Sequence, residues 1–464
     1  MRKEQYLISK IIQLSSIIIA FICFILAIKT ELYKAPIYLI PICYSLSTFI
    51  LNKKDFNLPG IFIFKVILFW RYSLMSLAFY ISDGKFKFIK NYNYLDEAVY
   101  LMILEMFCIV LILKFTEKKN KFRTLDKYIK IFYQSNIKGV IAIFMTLGIV
   151  MVSLKYRSLL RGITLILGNK ILYNYEDVPV IIAILYRSIV LWLYVYTIFL
   201  LRQKNKNINW SLLISIAYIL FTFLGQSGIS RWNTIVTFLS IVFLLIKLYP
   251  KHRKKILFNI LLPSLVFIMI LTIYKNTSYL YSKDKVLLIH GIRKLLNAEM
   301  LNLYFAGPIN INSAIGTSKK FVDLSLKTLP LDLASGIPII NHYVNELKTS
   351  FIPFNIYIGR YFGKIGQGNY DQIIPLIGQG YIYFSFWLSP LLTVFSIMVF
   401  RYCDKKFYYS KNLTAYIFAF TGIWAATAII LNLTIFTSWI FIRIIPFVVV
   451  FKSIDWIEIF FSKH

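Results

Sequence analysis

The chain has 464 residues, of which 58% are hydrophobic and 17% aromatic, and it carries a formal net charge of +32. Apolar runs long enough to cross a bilayer, about 20 residues, recur along it and exclude an ordinary soluble domain. The positive charge lies in short runs between those stretches, where it sets membrane topology and meets anionic lipid, so nucleic acid is excluded as a partner.

In chain order, spans are expected near 7–28, 35–51, 61–81, 97–115, 139–154, 178–201, 210–224, 232–248, 256–274, 381–400, 413–432 and 436–451. The first stretch is too long for a signal-peptide core and has no small-residue cleavage site after it, so it stays as an anchor. Basic runs KFTEKKNKFRTLDKYIK (114–130), RQKNK (202–206) and KHRKK (251–255) fall on alternate connections. Counted on such short loops, the bias places both termini in the cytoplasm. The fold class expected is an all-α polytopic membrane protein of about 12 transmembrane helices. The wealth of Lys, Ile, Asn, Tyr and Phe suits an AT-rich bacterial genome, hence a bacterial cytoplasmic membrane. Cys23, Cys43 and Cys108 fall inside spans and Cys403 at a cytoplasmic helix end, which leaves no disulfide framework and no metal site.

The organisation follows from two long outer connections. Residues 1–274 hold the first nine helices, with a re-entrant outer segment expected at 155–177. Residues 275–380 form one large outer loop, and 381–464 hold the last three helices and a cytoplasmic C-terminus. The loop is too apolar for disorder: KVLLIHGIRKLLNAEMLNLYF (285–305) and SGIPIINHYVNEL (335–347) read as short amphipathic helices on the outer surface or dipping into a cavity. No internal repeat is visible, which weakens a transporter reading.

Ionisable groups inside spans are functional candidates by default. Lys65 is near enough to a helix end to snorkel. Arg71, Arg187 and Glu105 lie deeper, and Glu105 is placed to pair with either arginine. On the outer side Arg157 and Arg161 are four apart, so one helical turn presents both on one face. Arg231 sits where a helix begins after the small polar stretch GQSGIS (225–230), whose Gly225 and Gly228 allow close backbone approach. Arg293 and Arg360 lie in the large loop. Several arginines at one membrane face suit a pyrophosphate, whose oxygens match the guanidinium fork. His290 and His342 are the outer histidines and candidate general bases for a sugar hydroxyl, with Asp323, Asp332 and Glu346 as carboxylate rivals. No zincin, nucleophile-elbow, Walker or dinucleotide motif appears.

Several short elements resemble bacterial oligosaccharide repeat-unit polymerases of the Wzy type. They are the span count, the one large outer loop, PLIGQGYIYFSFW (375–387) with Gly378, Gly380 and Tyr381, YFAGPIN (304–310) with Tyr304, Gly307 and Pro308, and GQSGISRW. Ser385 stands where a glycine is common in that family. The resemblance implies a GT-C-like membrane glycosyltransferase acting on undecaprenyl-pyrophosphate-linked oligosaccharides at the outer face, for capsular or surface polysaccharide. Its expected pyrophosphate cradle is Arg157, Arg161, Arg231, Arg360 and Arg187, with His290 or His342 as base. Membrane lipid and a chain-length regulator are the other partners expected. The rivals are an O-antigen-ligase-like transferase, a flippase or exporter of lipid-linked sugars, and a membrane acyltransferase.

Overall fold

In a computed structural model of the protein, residues 2–29, 36–51, 58–82, 92–119, 136–156, 159, 178–204, 207–224, 231–261, 263, 305–358 and 373–463 are described. These residues contain helices and turns and no strand. In chain order the helices are α1 (Arg2–Lys29), α2 (Leu39–Ile50), α3 (Pro59–Ile81), α4 (Leu95–Lys119), α5 (Asn136–Lys155), α6 (Val180–Gln203), α7 (Ile208–Leu224) and α8 (Arg231–Leu248). There follow α9 (Pro250–Ile260), α10 (Pro308–Lys320), α11 (Thr328–Ser335), α12 (Phe351–Ile358), α13 (Leu376–Leu388), α14 (Leu391–Tyr409), α15 (Ala415–Ile430) and α16 (Leu433–Phe461).

Proline punctuates this series. Pro59, Pro250 and Pro308 occupy the first helical turn of α3, α9 and α10, and Pro179 and Pro375 immediately precede α6 and α13. Proline needs no amide partner there and its fixed φ suits a helix start.

Among the described residues six helices are long and apolar enough to cross a membrane: Ser9–Lys29, Pro59–Ile81, Leu95–Thr116, Ile137–Lys155, Val180–Gln203 and Leu433–Phe461. The number rises to eight if each of two bent pairs is one span. Three of the twelve expected spans, at 35–51, 210–224 and 413–432, are shorter apolar helices. Most of the span expected at 256–274 lies outside the described residues. The span expected at 381–400 is not one rod. It is α13 followed by α14 at 111°, with Ser385 inside α13 at φ 64°, ψ −171° and Pro390 at the turn. Apolarity marks this stretch as membrane-compatible but is blind to a backbone that reverses within it. α5 is the extreme case: Phe144, Met151 and Leu154 point outward and no residue of its apolar window is buried. Such a helix is the opposite of a water-facing one and needs lipid around it.

The chain divides into two compact units: 1–122 with 292–405 and 422–439, and 123–291 with 406–421 and 440–464. In the first unit α14 reaches back to the start of α3. Asp404, fully buried, accepts hydrogen bonds from the Gly60 amide at 2.8 Å and the Ile61 amide at 3.0 Å. Those amides have no intrahelical acceptor, so a carboxylate 344 residues away in sequence caps the helix. Phe64 packs on Phe400 beside it, ring centroids 4.9 Å apart. α10 is polar yet sunk in this unit. Its Asn310, Asn312, Ser313 and Thr317 are buried against α4, α12 and α13, and Asn312 Oδ1 accepts from the Tyr94 amide at 3.0 Å.

In the second unit, side-chain contacts fix the register of the helices. Ser153 and Tyr186 share a hydrogen bond of 2.8 Å near one end of α5 and α6, while Gly139 approaches the Tyr196 hydroxyl near the other. Tyr194 bonds Ser215 at 2.9 Å and Tyr186 packs on Phe221 at 6.3 Å, so α7 also runs antiparallel to α6. Lys138 pairs with Asp455 and Glu458 at 2.9 and 2.8 Å and ties the start of α5 to the far end of α16.

Candidate functional site

These registers bring basic residues to one end of the second unit. α5 ends at Lys155 at the level of Tyr186, α7 ends at Leu224 beyond Phe221, and α8 begins at Arg231. Arg187 of α6 lies at this end. Arg443, on a π-helical turn (Ile440–Ile444) of α16, lies within electrostatic range of it, and the two charges repel. Counted back from the Lys138 contacts, Arg443 and Arg187 fall at similar heights on two helices that both run antiparallel to α5 and so parallel to each other. Tyr218 and Tyr416 act electrostatically on Arg443 as well. The Tyr218 ring stacks on Tyr194 at 4.2 Å and the Tyr416 ring on Phe420 at 6.1 Å, so both phenols are fixed. Among the described residues no carboxylate pairs with either arginine. Two like charges within range of each other among apolar helices are functional candidates.

The first unit carries a different chemistry. Arg71 and Glu105, both fully buried, form an ion pair at 2.9 Å. Arg71 Nη1 also donates to the Ile429 carbonyl at 2.9 Å, while Nε and Nη2 lack an aligned acceptor. Glu105 accepts from the Tyr72 and Thr393 hydroxyls, both at 2.7 Å. Glu105 therefore pairs with Arg71 and not with Arg187. The pair holds a π turn of α3 (Trp70–Leu74) to the point where α15 tightens into a 3-10 turn, Ala428–Ile430, and ends. Lys65 does not snorkel: it is 8% exposed.

A second buried network joins α11, α13 and α16. Gln379 Oε1 accepts from the Leu433 amide at 2.6 Å, and its Nε2 donates to Ser350 Oγ at 2.9 Å and Tyr383 Oη at 3.2 Å. Asp332 accepts from the Ser350 amide at 2.9 Å and from the Tyr383 hydroxyl. Burial pushes the Asp332 carboxyl above the usual carboxylate range, opposed by these hydrogen bonds from Ser350 and Tyr383. Near it, Glu97 accepts from Tyr381 Oη at 2.6 Å and from Lys319 Nζ at 2.5 Å, and Lys319 lies over the Tyr94 ring at 4.3 Å.

The Gly-rich motif acquires a packing reason. A methyl on Gly378 would stand 2.7 Å from Ala314 Cβ, and one on Gly380 would stand 2.0 Å from the Ser389 carbonyl oxygen. Both positions must lack a side chain for α13 to lie on α10 and for the chain to fold back at 389–390. That packing delivers Tyr381 to Glu97. Ser385, where the family commonly has glycine, holds a backbone conformation that glycine favours.

The remaining expectations divide by position. Arg157, Arg161, Arg360, His290, Gly225, Gly228 and Tyr304 lie outside the described residues, as does the side chain of Arg231. Gly307 caps α10 and Pro308 is its first residue. His342 is exposed on a 3-10 turn, and Asp323 is exposed as well. Asp332 is buried and accepts from the Ser350 amide and the Tyr383 hydroxyl, so it ties α11 to Ser350 and Tyr383. Sequence reasoning missed Arg443 and Glu97. Arg443 stands in an apolar run and was open to the same depth argument as Arg187; nothing local in the sequence marks Glu97. Comparison with protein-family models, with curated proteins and with solved structures finds no match.

Proposed function

We propose that this protein is a membrane glycosyltransferase that polymerises lipid-linked oligosaccharide repeat units at the outer face of the bacterial cytoplasmic membrane. The growing glycan passes from undecaprenyl pyrophosphate to a sugar hydroxyl of an incoming lipid-linked unit. The observation that carries this reading is the pair Arg187 and Arg443, within electrostatic range of each other and without a carboxylate partner among the described residues, at the end where Arg231 begins α8. The motif resemblance supplies the ligand class.

A base takes the proton of the acceptor hydroxyl, whose oxygen attacks the anomeric carbon of the donor. The bond from that carbon to the pyrophosphate oxygen breaks and leaves its electrons on the lipid pyrophosphate. Charge on that leaving group rises most in the transition state, where fixed guanidiniums act most strongly. In this reading Arg187 and Arg443, with Arg157, Arg161, Arg231 and Arg360, hold the pyrophosphate. His290 or His342 serves as the base, and no metal takes part.

The test is in cells. Arg187→Ala and Arg443→Ala, each expressed at the level of the unchanged protein, should abolish polymer while single lipid-linked units collect on the outer face. Units retained inside would support a flippase instead, and normal polymer from both variants would remove the arginine pair from the reaction.

A further inference from the structure

We propose that residues 322–347, comprising α11 and the turns on either side of it, are seated in the headgroup–acyl boundary of the membrane and not in water. Three observations point there. The first is that α11 is built inside out. Its buried residues are Thr328, whose hydroxyl accepts from the Ser325 amide at 3.2 Å, and Asp332, which joins the hydrogen-bond network of Ser350, Gln379 and Tyr383, whereas Leu333 faces outward. A helix in water does the reverse, with apolar residues inward and polar ones outward. Here the polar groups satisfy one another internally, as they must where no water can do so.

The second observation is the outer surface of the segment. Val322 is 84% exposed, Ile339 72% and Tyr343 88%, with Leu326, Ile340 and Leu347 exposed beside them. None belongs to a candidate span. Apolar exposure this dense within one short segment marks an interaction surface. Lys319, Lys320, Lys327 and Lys348 are exposed in and next to the same stretch, against one exposed carboxylate described there, Asp323. Apolar side chains among lysines match the apolar and anionic layers of a lipid surface.

The third observation is location. α11 packs on the first turns of α16, residues Leu433–Trp439, where Thr434 Oγ1 donates to the Asp332 carbonyl at 3.0 Å and meets Ser335 Oγ at 3.0 Å. Those turns begin the 29-residue apolar helix Leu433–Phe461. The segment therefore lies beside the end of a membrane span, at the depth where headgroups meet acyl chains. The inference does not rest on the proposed reaction.

Nitroxide labels at Val322→Cys, Ile339→Cys, Tyr343→Cys and Lys320→Cys test it in nanodiscs of phosphatidylethanolamine and phosphatidylglycerol. The unchanged protein, labelled in parallel, sets the background from its own four cysteines. Collisions with oxygen, which partitions into the bilayer, should exceed collisions with a water-soluble nickel chelate at 322, 339 and 343. The order should reverse at 320. A second readout is quenching of an Ile339→Trp variant by lipids brominated along the acyl chain, expected to exceed that of the unchanged protein. Access by the nickel chelate at all four positions would place the segment in water. Exclusion of both reagents at 322, 339 and 343 would mean that protein covers it, from this chain or a second copy. Either result overturns the proposal.

Discussion

Replacing Arg443 by glutamine should separate an anion site from an ordinary structural arginine. Arg187 and Arg443 repel each other, and among the described residues no carboxylate pairs with either. At an effective dielectric of about 20, two unit charges repel by about 4 kcal/mol at 4 Å and about half that at twice the distance. Arg443→Gln removes the repulsion and keeps a shorter polar side chain, so the ligand-free variant should be more stable than the unchanged protein. With ligand the sign changes. A charge-assisted hydrogen bond contributes about 1.5–3 kcal/mol, so the variant should bind pyrophosphate roughly ten- to hundredfold more weakly. The assay is the apparent unfolding temperature of purified protein with and without inorganic pyrophosphate, for the unchanged chain, Arg443→Gln and Arg187→Gln. Both variants should unfold higher than the unchanged protein without ligand and respond less to pyrophosphate. Variants that are destabilised without ligand, yet stabilised by pyrophosphate as much as the unchanged chain, would refute the reasoning.

The first unit offers the contrasting case. Arg71→Ala leaves Glu105 charged and fully buried, a loss of about 3–5 kcal/mol that should appear as poor yield or a much lower unfolding temperature. Adding Glu105→Gln should recover part of it. Ser385→Gly relieves a non-glycine residue at φ 64°, and the unfolding temperature should rise by the equivalent of about 1 kcal/mol. Asp332 has a raised folded-state value, so the native chain holds its proton to higher pH than the unfolded chain does. Stability should therefore fall as pH climbs from about 3.8, the ordinary carboxylate value, through the raised folded value, and level off above it. Unfolding of Asp332→Asn measured across that range should lack this component.

How much of this was legible in the sequence can be judged element by element. The long apolar helices were, because a bilayer demands a run of about 20 residues and that demand is local. The reversal at Ser385 and Pro390 was not, although Pro390 and the nearby glycines are its local cause. Hydropathy averages over the turn and hides it. Glu105 was legible as a buried group in need of a partner, but its choice of Arg71 over Arg187 required knowing which helices share a unit.

The same division holds for the candidate site. Composition and spacing determined that the chain belongs in a membrane and that arginine is its available anion-binding residue. The family resemblance also drew attention to Gly378, Gly380 and Tyr381. Only the tertiary structure decided that Arg443 lies within electrostatic range of Arg187 and that Tyr381 meets Glu97. It also set Asp332 in a buried network with Ser350 and Tyr383. The physical reason is one of range. Hydrophobic length and backbone preference act within a few residues, whereas the partner of a charge is set by which helices pack, and that brings Asp404 to an amide 344 residues away.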